Sequence, residues 1–146
     1  MSGKFLVVGL LGFTIFFAIV LYYFQVFAYY QTSASLDHVM IQGRRVPVTK
    51  YIGIDSTTSG LKLRGCFFTD PTKFVDLEIH KKATPLSAPF WFTCFESGSI
   101  QRALDAGDAK AYLAVENEKD GIDRVVAIYP NGMGFQWRQL NSKYLD

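Results

Sequence analysis

The sequence has few of the residues that usually carry catalysis or bind metal ions. It contains two cysteines, Cys66 and Cys94, and two histidines, His38 and His80. It contains no CxxC, CxxCH or HExxH motif and no glycine-rich phosphate loop, so the usual patterns of thiol redox proteins, c-type cytochromes, zinc hydrolases and nucleotide-binding proteins are missing. A nucleophile set of Cys94, His80 and Asp76 has no supporting spacing. We therefore expect a protein that is not an enzyme and that needs no metal or other cofactor.

The chain also lacks an excess of charge of either sign. Its 146 residues include 15 Lys and Arg against 13 Asp and Glu, which gives a formal net charge of +2. Such a balance does not provide the basic surface that nucleic-acid binding requires. We therefore expect no nucleic-acid partner.

A long segment near the N-terminus lacks charged side chains altogether. No charged residue occurs within 5–36, and Thr14 and Gln25 are the only clearly polar residues of its apolar part. A helix over 5–29 would be about 37 Å long, enough to cross the ~30 Å hydrocarbon core of a bilayer. The alternative is a cleavable signal peptide, but its apolar region is normally only ~7–15 residues long. The sequence predicts an uncleaved transmembrane anchor over 1–30.

The charges that flank this span predict its orientation. Lys4 and the α-amino group lie on the N-terminal side, whereas the first charged residue on the other side is Asp37. Arg44 and Arg45 follow ~15 residues beyond the span, and the positive-inside rule gives more weight to charges close to it, which favours the N-terminus inside. We expect a single-pass protein of the bacterial inner membrane, with its N-terminus in the cytoplasm and its C-terminal domain in the periplasm.

Aromatic residues are dense in the span and indicate contact with lipid or with a partner subunit. The tyrosines cluster at its C-terminal end, where amphipathic rings favour the membrane–water interface. The phenylalanines either form a ridge that packs into a larger membrane protein or simply face lipid. The candidate contact residues of the span are Phe13, Phe16, Phe17, Tyr22, Tyr23, Phe24, Tyr29 and Tyr30.

The rest of the chain predicts one small domain. Residues 31–37 are small and polar and resemble a linker, and 38–146 is long enough for one compact domain. Short strand-like segments separated by turn signals predict an α+β fold with an antiparallel sheet. The expected strands cover 39–42, 46–51, 61–68, 109–117, 124–129 and 134–140, with turns at Gly43-Arg44-Arg45 and Asn131-Gly132, a strand or short helix over 74–79, and a helix over 100–106 that is capped by Ser99 and ended by Gly107.

The two cysteines leave three interpretations open. In an oxidising compartment Cys66 and Cys94 would form a disulfide, which would contribute about 3 kcal/mol in the chain-entropy model. Both cysteines also lie in aromatic runs, which suits separate buried thiols. A metal or redox role is the third interpretation.

The run from Phe90 to Phe95 has two interpretations. As an interior strand or turn it would supply core residues. As an exposed patch, its residues Phe90, Trp91 and Phe92 would contact the membrane interface or a partner, because exposed aromatic clusters mark interaction surfaces.

Several short segments along the chain form a recognisable set. They are the opening Ser-Gly-Lys, the apolar span, the Tyr-Phe-Gln-Val-Phe-Ala-Tyr-Tyr segment, Gly53-Ile54-Asp55, Arg64-Gly65-Cys66-Phe67, Trp91-Phe92-Thr93-Cys94-Phe95 and Gly121-Ile122-Asp123-Arg124-Val125-Val126-Ala127. With these segments the chain resembles a family of uncharacterised bacterial single-pass membrane proteins that carry a domain of unknown function. The resemblance covers nearly the whole chain and supplies no catalytic residues.

These features predict an accessory or assembly subunit of a larger bacterial membrane complex. Its partners would be the lipid bilayer and integral membrane subunits, and respiratory complexes such as cytochrome oxidase or cytochrome bc1 are the expected hosts. The alternative is a membrane-tethered periplasmic binding or metallo-assembly module that acts on its own.

Overall fold

The computed structural model describes residues 2–145 and consists of an N-terminal helix followed by one α+β domain. Two sheets are present, one with six strands and one with two. The elements are α1 (Gly3–Val26), β1 (Gln31–Ser33), β2 (His38–Ile41), β3 (Arg44–Pro47), β4 (Thr49–Asp55), β5 (Arg64–Phe68), a 3-10 helix (Pro71–Phe74), α2 (Ser97–Ala106), β6 (Lys110–Lys119), β7 (Ile122–Ile128), β8 (Met133–Leu140) and α3 (Ser142–Leu145).

Helix α1 is the predicted apolar helix, although it begins and ends slightly earlier than expected. It has 24 residues and no charged residue after Lys4. None of its residues is buried, so it is not a core helix of the domain. Its length and apolarity are those of a membrane span and, at this place in the chain, also those of a signal sequence. The helix could therefore span a membrane.

The expected linker over 31–37 begins with a strand. Strand β1 pairs antiparallel with β4, with Gln31 opposite Asp55 and Ser33 opposite Gly53. The three residues of β1 are all polar and all exposed, so the segment shows no alternation of apolar and polar residues. Its backbone hydrogen bonds to β4 make it an edge strand, which local sequence patterns do not predict.

The six-stranded sheet has the order β1-β4-β5-β8-β7-β6, and every neighbouring pair is antiparallel. This confirms the predicted antiparallel sheet, and the last three predicted strands form the neighbours β6, β7 and β8. The Asn131-Gly132 turn also forms, with Gly132 at φ 94° and the amide of Tyr129 bonded to the carbonyl of Met133 at 2.9 Å. The positive φ explains why glycine occupies this position.

Strands β2 and β3 form a separate hairpin whose turn differs from the prediction. The turn residues are Gln42 and Gly43, at φ 52° and 81°, as a two-residue hairpin turn with left-handed residues requires. Arg44 and Arg45 therefore lie in strand β3 and not in the turn. The predicted strand over 46–51 is divided between β3 and β4 at Val48, whose amide bonds to the carbonyl of Asp37.

Helix α2 begins three residues before the predicted start. Its N-cap is Glu96, whose carboxylate accepts hydrogen bonds from the amides of Gly98 and Ser99, so Ser99 lies inside the helix. The predicted C-terminal end at Gly107 is correct, with φ 81°. The segment predicted as a strand or short helix over 74–79 contains the end of the 3-10 helix and a single β-bridge between Ile79 and Tyr112.

Both faces of the central strands are buried, and each face has its own hydrophobic core. Neighbouring residues of β5 point in opposite directions, so that Phe67 belongs to one core and Cys66 to the other. The first core packs the β2–β3 hairpin against the sheet. The second core packs α2 and the loop over 80–96 against the opposite face, around the fully buried Trp137.

Candidate functional site at the helix–domain junction

The loop over 80–96 joins the sheet to α2 and has no helix or strand of its own. Loops longer than ~12–15 residues without regular structure are uncommon in compact domains and usually have a function. This loop carries the aromatic run over 90–95, and three separate devices attach it to the sheet. Its position next to the end of α1 makes it the main candidate for a functional surface.

The first device is the buried guanidinium of Arg64, at the start of β5. It donates hydrogen bonds to the carbonyls of Leu86 and Ser87 at 3.1 and 2.9 Å, and to those of Leu61 and Leu63, both at 2.6 Å. Arg64 is only 6% exposed, and burial lowers its pKa to about 10. The guanidinium is therefore still charged at neutral pH, and it fixes two loop segments to each other.

The second device is the disulfide between Cys66 in β5 and Cys94 in the loop, whose Cα atoms are 6.3 Å apart. The structure thus selects the disulfide among the three interpretations of the cysteines. Cys94 is not available as a nucleophile while it is bonded. Asp76, the acid of the hypothetical nucleophile set, pairs with Arg44 at 3.2 Å instead.

The third device is the side-chain amide of Gln139 in β8. Its oxygen accepts a hydrogen bond from the amide of Thr84 at 2.7 Å and another from Nε1 of Trp137 at 2.9 Å. Its nitrogen donates to the carbonyl of Lys82 at 2.9 Å. The loop is therefore attached to the sheet at three places: Gln139 holds its beginning, Arg64 its middle and the disulfide its end.

The aromatic run of the loop divides between core and surface. Phe92 and Phe95 are 7% and 4% exposed and belong to the second core. Phe92 is therefore not a surface contact residue, and the run is an irregular turn and not a strand. Phe90 is 68% exposed and Trp91 is half-buried. The structure thus places the two ends of one apolar run in different environments.

Trp91 connects the domain to the end of α1. Its indole Nε1 donates a hydrogen bond to the carbonyl oxygen of Val26 at 2.7 Å. The last carbonyls of a helix have no partner within the helix, so this bond caps the C-terminus of α1. The ring of Trp91 stacks on Phe27 with centroids 6.3 Å apart and meets the edge of Tyr30 at 5.5 Å. The helix end is thereby attached to the loop by both a polar and an aromatic contact.

The predicted contact residues of α1 and its end fall into two groups. Phe13, Phe16 and Phe17 lie along the helix and are exposed. The others stack near the junction: Tyr22 and Tyr23 contact Phe27, Tyr30 contacts Trp91, and Tyr29 stacks on Phe24. We call Phe27, Tyr30, Phe90 and Trp91, whose rings contact one another, the junction cluster.

Sequence reasoning missed three residues of the junction. Phe27 lies at the centre of the cluster and was not distinguished from the other apolar residues of the span. Lys62 places its ammonium 4.8 Å from the centre of the Tyr30 ring. Arg64 holds the loop through its hydrogen bond to the carbonyl of Ser87. Neither cation lies near the cluster in sequence, so no local signal indicates them.

A cleft lies on the side of the sheet where β1 and β4 meet the β2–β3 hairpin. It has a volume of about 380 Å³. Its polar floor is a set of ion pairs: Arg138 bonds to Asp55 at 3.0 Å and to Glu118 at 2.8 Å, and Arg124 bonds to Glu118 at 3.0 Å. These charges neutralise each other, so the floor is polar without an unbalanced charge.

Glycines make room for the buried tyrosine that lines this cleft. A Cβ atom at Gly53 or Gly65 would lie 2.6 or 2.7 Å from atoms of Tyr51. The hydroxyl of Tyr51 accepts a hydrogen bond from Nε2 of Gln136 at 2.6 Å, and burial raises its pKa above the usual value. Tyr51 is therefore a neutral, structural part of the cleft wall.

The fold and the junction define a class of protein: a small α+β domain on an antiparallel sheet, attached to an apolar helix that could span a membrane. The chain belongs to a family described as Family of unknown function (DUF6446), which matches residues 35–144. This confirms the resemblance to a domain of unknown function. No curated protein and no solved structure matches the chain.

Replacing Glu118 by Gln should destabilise the folded domain by about 2–3 kcal/mol at pH 7, because both buried arginines of the cleft lose their shared carboxylate. Burial raises the pKa of Glu118, but the hydrogen bonds and charges of Arg138 and Arg124 lower it more, so the net shift is downward. This stabilisation is present above the unfolded-state pKa and is lost as the pH falls through the lower folded-state pKa. Urea unfolding as a function of pH should show the difference closing below about pH 4.

The matched control for this prediction is Glu116→Gln, on the same strand but exposed. It should change the free energy of unfolding by less than about 0.5 kcal/mol. Equal stabilities of the Glu118 and Glu116 variants at pH 7 would contradict the structural role of the ion pairs.

Removing the disulfide in a Cys66→Ala/Cys94→Ala variant should lower the free energy of unfolding by about 3 kcal/mol, because the unfolded chain is no longer cross-linked. Trypsin should also cleave faster at Lys81 and Lys82, because the loop loses one of its attachments. Thr93→Ala, an exposed neighbour that keeps the disulfide, is the control. An unchanged urea midpoint and digestion rate in the cysteine variant would show that the disulfide does not hold the loop.

Replacing Arg64 by Lys should cost about 2–4 kcal/mol, because one ammonium group cannot reach the four carbonyls that the planar guanidinium bridges. Thermal unfolding followed by circular dichroism measures the loss. The exposed substitution Arg102→Lys is the control and should be neutral. An Arg64→Lys variant as stable as the wild type would mean that charge alone, and not the fork of donors, fixes the loop.

Proposed function

We propose that this protein is a non-catalytic accessory or assembly subunit of a larger membrane complex. The main observation for this proposal is that α1 has no buried residue. Its large rings are exposed as well: Phe13, Phe16 and Phe17 are 64%, 66% and 52% exposed. No described part of the chain covers these rings. In a membrane they face lipid or a neighbouring protein, and bulky rings on one side of a span form a ridge suited to helix packing.

Two features support a topology with the domain outside the cytoplasm. Lys4 and the α-amino group lie at the start of α1, and the first charge after it is Asp37. The bond between Cys66 and Cys94 fits an oxidising compartment, because thiols are kept reduced in the cytosol. In a bacterium this proposal places α1 as an uncleaved anchor in the inner membrane and the domain in the periplasm.

The geometry of the domain favours binding over catalysis. Both cysteines are bonded to each other, and the charged groups of the cleft pair among themselves. A catalytic acid or base would have to leave such a pair before it could exchange a proton with a substrate. The domain is therefore better suited to present surfaces than to perform a reaction.

The second candidate is a membrane-tethered module that binds a ligand without a host complex. The cleft of about 380 Å³ favours it, since this volume lies in the range of small-molecule sites. The metallo-assembly version has less support, because the thiolates that would bind a soft metal are joined in the disulfide. Ligand binding by the cleft would show as a change in melting temperature that Arg138→Gln abolishes.

Purification of the full chain with a C-terminal tag, in mild detergent, tests the leading proposal. We expect a stoichiometric integral membrane protein to co-purify, and respiratory complexes are the first hosts to look for by mass spectrometry. A Phe13→Leu/Phe16→Leu/Phe17→Leu variant keeps the helix apolar but removes the ridge, so it should lose at least about 90% of that partner.

The matched control is Leu11→Ile/Ile15→Leu, which changes side-chain shape on the opposite face of α1. It should retain the partner. The proposal is wrong if the wild-type chain brings down no stoichiometric membrane protein, and the ridge is not the contact if both variants retain it equally.

A further inference from the structure

The junction cluster contains an exposed apolar ring, that of Phe90, which lies outside the ridge of phenylalanines on α1. Phe90 is 68% exposed at the tip of a loop that three devices hold rigidly. Its ring meets the edge of Phe27 at 5.7 Å, just beyond the last residue of α1. Phe27 is itself 40% exposed, so the two rings form a contiguous apolar patch, and such patches mark contact surfaces.

The position of the cluster along α1 defines the environment of this ring. The 24 residues of α1 span about 36 Å at ~1.5 Å per residue, whereas the hydrocarbon core of a bilayer is ~30 Å thick. Because tyrosine favours the membrane–water interface, Tyr22 and Tyr23 place the extra length at the C-terminal end of a membrane-embedded α1, in the headgroup region. Because Nε1 of Trp91 bonds to the carbonyl of Val26, the loop tip lies at the same depth.

The chemistry of the cluster matches that depth. Tryptophan and tyrosine favour the boundary between headgroups and acyl chains, where an apolar ring and a polar tip are both satisfied. Lys62 holds its ammonium 4.8 Å from the Tyr30 ring, and within the described residues 2–145 no carboxylate forms an ion pair with it. A lysine above an aromatic belt is placed to meet a lipid phosphate.

We infer that the loop tip formed by Phe90 and Trp91, together with Tyr30 and Lys62, is a lipid-binding surface. Phe90 and Trp91 insert among the headgroups of the leaflet through which α1 leaves the membrane, and Lys62 contacts a headgroup phosphate. The inference rests on the membrane anchor in the proposed function, but it needs no partner protein. Its consequence is a fixed orientation of the domain on the membrane surface, which a flexible tether would not provide.

The continuity of this surface with the end of α1 favours lipid as its occupant. The loop is bonded to the carbonyl of Val26, the last residue of α1, so a bilayer around α1 reaches it. The exposed rings at the junction are Phe90, Phe27 and Tyr29, and together they offer much less than the ~800 Å² that each partner buries in an ordinary protein interface. A partner protein on this surface is instead one of the outcomes of the test.

Tryptophan fluorescence of the purified full chain in lipid nanodiscs tests the inference. The chain has two tryptophans, and Trp137 is fully buried in the domain, so it serves as an internal reference. Phosphatidylcholine brominated near the headgroup should quench the emission by up to roughly half, because only one of the two tryptophans lies at the interface. Lipid brominated near the chain ends should quench it much less.

Variants assign the quenching to individual residues. Trp91→Phe leaves only Trp137 and should abolish the quenching. Phe90→Asp should reduce it several-fold, because a charge disfavours insertion, whereas Val75→Asp, at another exposed apolar residue, should not. Replacing a share of the lipid by anionic phosphatidylglycerol should increase the quenching in the wild type but not in Lys62→Gln, and the exposed control Lys110→Gln should behave as the wild type.

The inference is overturned if shallow brominated lipid quenches the wild type and Trp91→Phe equally, or if Phe90→Asp and Val75→Asp are quenched to the same extent. It is also overturned if Trp91 is not quenched while Phe90→Asp loses a co-purifying protein, since the surface would then bind that protein. Co-elution of the chain with nanodiscs reports separately that α1 is inserted. Failure to find a host complex leaves this measurement unaffected, so the two proposals fail independently.

Discussion

A single buried guanidinium, that of Arg64, holds together the part of the molecule on which the junction depends. It bridges carbonyls of the segment before β5 and of the loop over 80–96, and that loop has no helix or strand of its own. The four carbonyls lose water when they are buried, and the donors of one arginine replace it. Without this bridge, the disulfide and the side chain of Gln139 would restrain only the two ends of the loop.

The rigid loop explains how a domain can be attached to a helix that it does not cover. The contact between Trp91 and Val26 joins two residues that are 65 positions apart, and it uses a carbonyl that the helix itself cannot satisfy. An indole suits this place because it is both a donor and a large apolar surface. Residues 27–30 connect the helix to the domain, and the contacts of Trp91 with Val26 and Phe27 fix the angle between the two. The lipid-binding surface that we propose requires such a defined angle.

The cleft on the other side of the sheet shows a different use of buried charge. Arg124 and Arg138 are 7% and 9% exposed, and they share Glu118. Such a set is costly to bury but strongly prefers one arrangement of partners, so it fixes how β6, β7 and β8 align with β4. The ion pairs of the cleft floor therefore have a structural role, and ligand binding by the cleft stays a prediction.

The sequence by itself determined the apolar helix, the fold class and the last three strands. Each of these has a local signal: a long run without charge, alternating side chains, or an Asn-Gly turn. It did not determine which cysteine interpretation was correct, that Phe90 and Phe92 face opposite environments, or that residues 31–33 form a strand. Only the tertiary structure decided these points, together with the roles of Arg64, Lys62 and Phe27. The physical reason is that they depend on partners 20 to 64 positions away in the chain, and contacts over such distances leave no period in the local sequence.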